Sequence, residues 1–216
     1  MNGPSPEIIT GDLSLLYDRI EDGSVDLIFT DPPYFAESVP LYGRLAQLAL
    51  AKLKPGGLLL TYAGSMFVDD VIEQFRPYRP FLSYHWTFHV VHRGSWARHF
   101  GRRVRQGAKI VLVYAKSPVP TVARHGMCRD TVISECRSKE NHPWEQGIEP
   151  VLEWVEFLSP RGGLVVDPFV GGGTTAVAAL RLKRRFIGTE IDPATAEIAR
   201  KRVEFEAGTP SLEEVW

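Results

Sequence analysis

Residues 163–192, GLVVDPFVGGGTTAVAALRLKRRFIGTEID, constrain the fold more than any other stretch of this 216-residue chain. An apolar run ends at Asp167, three glycines occupy 171–173, a helix-forming run opens at Thr174, and a second apolar run ends at Glu190. This order predicts a strand, a tight glycine turn, a helix and a parallel strand. Such a turn lies where an open parallel sheet receives ligands, and glycine lets backbone amides approach them closely. An acidic residue about 20 positions beyond the loop can accept both hydroxyls of a ribose, which is the place of Glu190. Gly171, Gly173 and Ala176 alone also satisfy a dinucleotide fingerprint. Asp167 argues against that ligand, because a carboxylate at the strand tip repels a pyrophosphate and suits a group bearing an ammonium. A phosphate-loop NTPase is not predicted, since GGGTT has no lysine ahead of its threonine.

The rest of the chain repeats the same rhythm. Runs at 7–10, 25–30, 57–62, 84–91, 110–115, 164–167 and 185–190 read as strands, and stretches at 13–20, 41–53, 67–75, 145–158, 174–182 and 193–205 read as helices. Continuous apolar runs such as VDLIF and GLVV predict strands covered on both faces, hence an α/β fold with a mostly parallel sheet. Strands 84–91 and 110–115 are separated only by the basic loop 93–107, which predicts an antiparallel pair at one sheet edge. Residues 117–141 have low apolar content and no period, and are read as an irregular insert. No apolar run reaches 18 residues, and the opening MNGPSPEIITGD has neither a charged n-region nor an apolar h-region. No membrane span, no secretory signal and a cytoplasmic location are therefore expected.

Charge is unevenly distributed. The formal net charge is −1, yet no acidic residue stands between Glu73 and Asp130, a stretch that carries eleven lysines or arginines. Arg93, Arg98, Arg102, Arg103 and Arg105 cluster within it, interleaved with Trp96, His99 and Phe100. An arginine-rich, acid-free segment with aromatics suits phosphate neutralisation and base stacking. His85, His89 and His92 lack a carboxylate or cysteine to complete a metal site, and Cys128 and Cys136 have no CxxC spacing, so no metal is expected.

The second motif is TDPPY, residues 30–34, directly after the apolar run VDLIF. Each proline fixes φ and donates no hydrogen, so Asp31, Pro32 and Pro33 present carbonyls and a carboxylate with few competing donors. Such an acceptor-rich edge fits a planar amino group, with Tyr34 stacking on its ring.

DPPY, DPFVGGGTT and GTEID, in this order, resemble the amino-methylating, S-adenosylmethionine-dependent DNA methyltransferases, in the permuted group whose catalytic motif precedes the cofactor motif. IITGDLSLLYDRIEDGSVDLIFTDPPY, LKPGGLLLTY and the block from HPWEQG onward extend the likeness over most of the chain. The resemblance implies one catalytic domain over residues 1–216, with a Rossmann-like seven-stranded sheet and one antiparallel strand near its edge. It implies that Asp167, Phe169, Gly171 and Gly173 hold the methionine end of S-adenosylmethionine, and that Glu190, followed by Ile191, takes the ribose. Asp12 would sit near the adenine, and Thr174 and Thr175 would meet the cofactor carboxylate at a helix start.

Asp31, Pro32, Pro33 and Tyr34 would form the catalytic pocket, with Asp31 also near the cofactor. In this family Asp at the first motif position usually accompanies adenine and Ser cytosine, so Asp31 favours adenine N6 over cytosine N4. Double-stranded DNA is the expected partner, gripped by the arginines of 93–107. RNA with the same chemistry is a second reading, and a silent binding module a third, against which the intact motifs argue. Where the family has HPTQKP, this chain has HPWEQG, with Gln146 and Gly147 at the lysine and second proline positions. The insert 117–141 is short for a target-recognition region. Recognition is then short, relaxed, or shared with 93–107 or with a second subunit in a homodimer.

Overall fold

In the computed structural model, which describes residues 6–93, 97–119, 127–135 and 147–208, the apolar runs form one eight-stranded sheet. Strands β1 (Glu7–Thr10), β2 (Val25–Thr30) and β3 (Leu53–Ala63) precede β4 (Leu82–Arg93). A two-stranded hairpin of β5 (Ala97–His99) and β6 (Val104–Gln106) leads to β7 (Ala108–Lys116). β8 (Thr131–Glu135), β9 (Leu164–Asp167) and β10 (Arg185–Glu190) complete the set. The order across the sheet is β1-β10-β9-β2-β3-β7-β4-β8, and β7 alone runs against its neighbours.

Helices cover both faces, as the unbroken apolar strands require. α1 (Leu16–Arg19), α2 (Val39–Lys52) and α3 (Val68–Phe75) bury Leu16, Leu45, Leu48, Val71 and Phe75 against Ile28, Leu59 and Leu112. On the other face α4 (Glu149–Leu158), α5 (Thr174–Arg181) and α6 (Pro193–Gly208) set Trp154, Val177 and Ala199 against Leu27, Phe29, Leu60 and Val165. Successive residues of β2 thus feed opposite cores, the two-residue period of a strand. Lys52 is buried at the end of α2, where its ammonium donates to the Tyr17 carbonyl at 2.8 Å and the Ile20 carbonyl at 2.7 Å. It thereby satisfies orphan acceptors at the end of α1 and ties the two helices together.

The sheet departs from the expected seven strands. The eighth, β8, lies inside the stretch read as irregular and pairs in parallel with His89–Arg93 of β4. Its five residues, TVISE, turn one apolar side chain, Val132, into the core, too little for a periodic signal. Long-range bonds hold it instead: the Trp154 indole donates to the Arg129 carbonyl at 2.8 Å, and Glu153 receives the Arg129 side chain at 2.7 and 3.0 Å. The β4–β7 pair is antiparallel as expected but is partly covered by β8 rather than forming the edge. The loop 93–107 contains the β5–β6 hairpin. The helix read from 145 begins at Glu149, while Cys136 and residues 142–146 lie outside the described residues. Among the described residues no helix is long and apolar enough to cross a membrane.

Candidate active site

Two groups of side chains pin β2 beside β9. At the start of the strands Asp26 accepts the Leu164 amide at 2.9 Å and the Lys54 ammonium at 2.7 Å, joining β2, β9 and β3. At the far end the Thr30 hydroxyl donates to Asp167 at 2.6 Å in a buried bond. Adjacent strands lie about 5 Å apart, and the register brings Asp167 level with Phe29, so Asp31, two residues on and 136 positions from Asp167 in sequence, shares with it the end of the parallel strands and its electrostatic field.

Asp31 lies just beyond β2 and is partly enclosed by aromatic rings. The Tyr34 hydroxyl donates to Asp31 Oδ1, and the Lys109 ammonium stands 3.8 Å from Oδ2. The same ammonium lies 5.6 Å from the centre of the Tyr34 ring and 5.4 Å from that of Tyr62, cation–π distances. Loss of solvation pushes the Asp31 carboxyl above the ordinary range, and Lys109 and Tyr34 oppose that rise. Pro32 is buried and Pro33 exposed, while Tyr34 keeps 37% of its surface and Phe35 keeps 70%. Gly64 packs beneath Tyr34, where a Cβ would come within 3.1 Å of the tyrosine Cβ. Lys109 and Tyr62 were not legible as site residues, because a lysine ahead of an apolar strand looks like any charge flanking a strand.

The glycine loop connects β9 to α5. Asp167 is buried and accepts the Phe169 amide at 3.0 Å as well as the Thr30 hydroxyl. Desolvation pushes its carboxyl up to about 6, against the pull of the bonds from Thr30, Phe169 and Thr175. Thr175 is therefore turned toward Asp167 and buried, whereas Thr174 stays partly open at the helix start. Glu190 receives two amides, Gly171 at 2.8 Å on Oε2 and Asp192 at 3.0 Å on Oε1, which shapes the loop around its carboxylate. Gly171 and Gly173 have φ of +50° and +82°, conformations that favour glycine. A Cβ at Gly171 would meet nothing nearer than the Phe169 carbonyl at 4.0 Å, so this side of the loop is open to a ligand. Ile191 keeps 72% of its surface beside it.

Asp12, beyond β1, accepts the Ser14 amide at 3.0 Å and both terminal nitrogens of Arg44, which hold its carboxyl down at about 2. Arg44 was not identified from sequence, since the pairing depends on how α2 packs. In the basic segment, Arg98, Arg102, Arg103 and Arg105 are exposed on the β5–β6 hairpin, with Phe100 81% exposed at its tip. None of these four arginines has an acidic partner among the described residues. The Arg93 side chain lies outside the described residues. The hairpin is anchored near the site by Gln106, whose amide donates to Ser65 Oγ at 2.9 Å and the Ala108 carbonyl at 2.7 Å.

Comparisons with known proteins agree with this fold. The chain is 26% identical over 250 residues to the type II methyltransferase M2.DpnII of Streptococcus pneumoniae, covering 94% of this chain and 91% of that one. TTHA0409, a putative DNA modification methylase from Thermus thermophilus solved with S-adenosylmethionine, superposes with a TM-score of 0.74 at 20% identity, covering 95% of this chain and 96% of that one. The cytosine-N4-specific PvuII DNA methyltransferase gives 0.75 at 19% identity, covering all of this chain and 94% of its own. At these identities the two structures attest the fold. A model of the N6/N4-type DNA methylase family matches residues 25–201, and the chain belongs to that DNA methylase family.

Proposed function

We propose that the chain transfers a methyl group from S-adenosylmethionine to the exocyclic N6 amine of adenine in double-stranded DNA, with its motifs in permuted order. The observation that carries this reading is the Thr30–Asp167 bond. It couples an acceptor-rich pocket at Asp31 to a glycine loop whose carboxylates suit this cofactor. The residues fit: Asp167 and Glu190 are acceptors for an ammonium and for ribose hydroxyls, and the open face of Gly171 leaves room between them. Phe169, Gly173 and Ile191 would line the same cleft and Asp12 its adenine end. Thr174 and the amides at the start of α5 would take the carboxylate, while Thr175 steadies Asp167. When bound, S-adenosylmethionine supplies an electrophilic methyl group.

The protein has to make a poor nucleophile act. The lone pair of a base amine is delocalised into the ring, so the pocket must favour the pyramidal form. Asp31 and the Pro32 carbonyl accept the two amine hydrogens, and Pro33, with no amide hydrogen, offers no competing donor. These bonds strengthen as the nitrogen becomes positive, which lowers the barrier by differential binding. Tyr34 stacks on the base, which must leave the duplex to reach the pocket. Asp31 then gives way to solvent for the departing proton, and no covalent intermediate is required. Residues 117–141 serve as a reduced target-recognition element in this reading.

The test is transfer of labelled methyl to duplex DNA of mixed sequence, followed by nucleoside digestion. Label on N6-methyladenine is expected. Label on N4-methylcytosine overturns the base assignment, and no label despite cofactor binding overturns DNA as substrate. The exposed hairpin supplies the phosphate grip, so Arg102→Ala with Arg103→Ala should reduce the slope of log affinity against log salt by about 2. An unchanged slope in filter-binding titrations would place the footprint elsewhere.

A further inference from the structure

We propose that Lys109 is a positioning residue whose ammonium occupies, in the base-free protein, the place that the target amine takes, holding Asp31 ionised until the base enters. The proposal rests on the reading of Asp31 as acceptor of that amine. Its geometry follows from topology. β7 runs against β3 and β4, so its first residues lie where β2 and β9 end. The pairing of Ala63 with Ile110 brings Lys109 level with the end of β3 and the Gly64 turn beneath Tyr34.

Among the described residues the ammonium faces three groups, the Asp31 carboxylate at 3.8 Å and the rings of Tyr34 and Tyr62 at 5.6 and 5.4 Å, and it also repels a proton from the His92 imidazole of β4. A base amine accepting a methyl group becomes cationic and gains from the same three neighbours. The two carboxylate oxygens are held differently. Tyr34 donates to Oδ1, whereas 3.8 Å is beyond the 2.7–2.9 Å of a charge-assisted hydrogen bond, so Lys109 is held loosely at Oδ2. A lysine stem has rotatable bonds along which the ammonium can withdraw.

Among the described residues, the titratable groups facing Asp31 and Lys109 include Tyr34 on the Asp31 loop, Tyr42 from α2, Tyr62 from β3, Asp167 from β9 and, beside Lys109, His92 from β4. The tyrosines are pushed up by burial and remain neutral, and Asp167 disfavours a second negative charge. Lys109 favours that charge. Removing its charge therefore raises the Asp31 pKa and moves the acid limb of transfer to higher pH.

The experiment is a carboxyl carbon-13 titration of Asp31 in protein labelled at aspartate, without DNA or cofactor, the resonance being assigned by its loss in Asp31→Asn. Lys109→Met, and Lys109→Gln if the first fails to fold, should raise the Asp31 midpoint by about one pH unit or more. Lys109→Arg should restore it. Single-turnover transfer to duplex DNA should fall about tenfold on the acid limb of the neutral variant and recover at high pH. An unmoved Asp31 midpoint in a folded neutral variant, or the same loss at every pH, overturns the proposal. Absence of transfer by the unaltered protein would instead sink the functional reading, leaving the titration to decide whether Lys109 governs Asp31.

Discussion

Asp31→Ala is expected to lower the rate of methyl transfer by on the order of 10³-fold or more while S-adenosylmethionine binds within about fivefold of the unaltered protein. The size follows from what the residue does. Asp31 accepts a hydrogen from an amine that gains charge along the reaction, so its contribution grows toward the transition state and is smaller in the ground state. Removing one preorganised group of this kind typically costs about 10²–10³ in turnover, and alanine also leaves Lys109 without the carboxylate it faces at 3.8 Å. Cofactor affinity should survive, because the Asp167 and Glu190 carboxylates hang on other strands and keep their own partners in Thr30, Phe169, Gly171 and Asp192. Single-turnover assays and calorimetric titration separate the two effects. Turnover near normal in Asp31→Ala would end the mechanism, and a parallel collapse of cofactor binding would mean that Asp31 holds the loop rather than the amine.

The second large effect is expected at Glu190, where alanine should weaken S-adenosylmethionine by about 10- to 100-fold. A hydrogen bond to a charged group contributes about 1.5–3 kcal/mol, and about 1.4 kcal/mol is a factor of ten in Kd. Glu190 acts twice: it would accept ribose hydroxyls, and it already orders the loop through the amides of Gly171 and Asp192. Glu190→Gln retains one acceptor oxygen and should fall between the two proteins. Saturating cofactor should recover most of the turnover in both variants, since neither touches the amine. An unchanged Kd in Glu190→Ala would remove the ribose from this strand tip.

The seven strands and six helices lie close to where periodicity and turn residues put them, because those signals are local and the strands are buried on both faces. β8 is not legible in the sequence because TVISE carries little apolar pattern, and Arg129, just ahead of it, is held by Trp154 and Glu153 of α4. Within the candidate site, the acidic strand tips and the glycine loop were readable since their chemistry sits in contiguous motifs. Lys109 and Arg44 were not, since each meets its carboxylate only through packing between distant elements.

The sequence by itself determined the parts: apolar runs that must be covered on both sides, a glycine loop at a strand tip, and a rigid acceptor-rich turn after another strand. It left open which strands are neighbours. Tertiary structure decided that β2 lies beside β9, through Asp26 at one end and Thr30 with Asp167 at the other. It also decided that the antiparallel β7 brings a cation to Asp31. The reason is physical: propensity and period act over a few residues, whereas strand order and the partners of a buried charge are set by contacts between residues far apart in the chain.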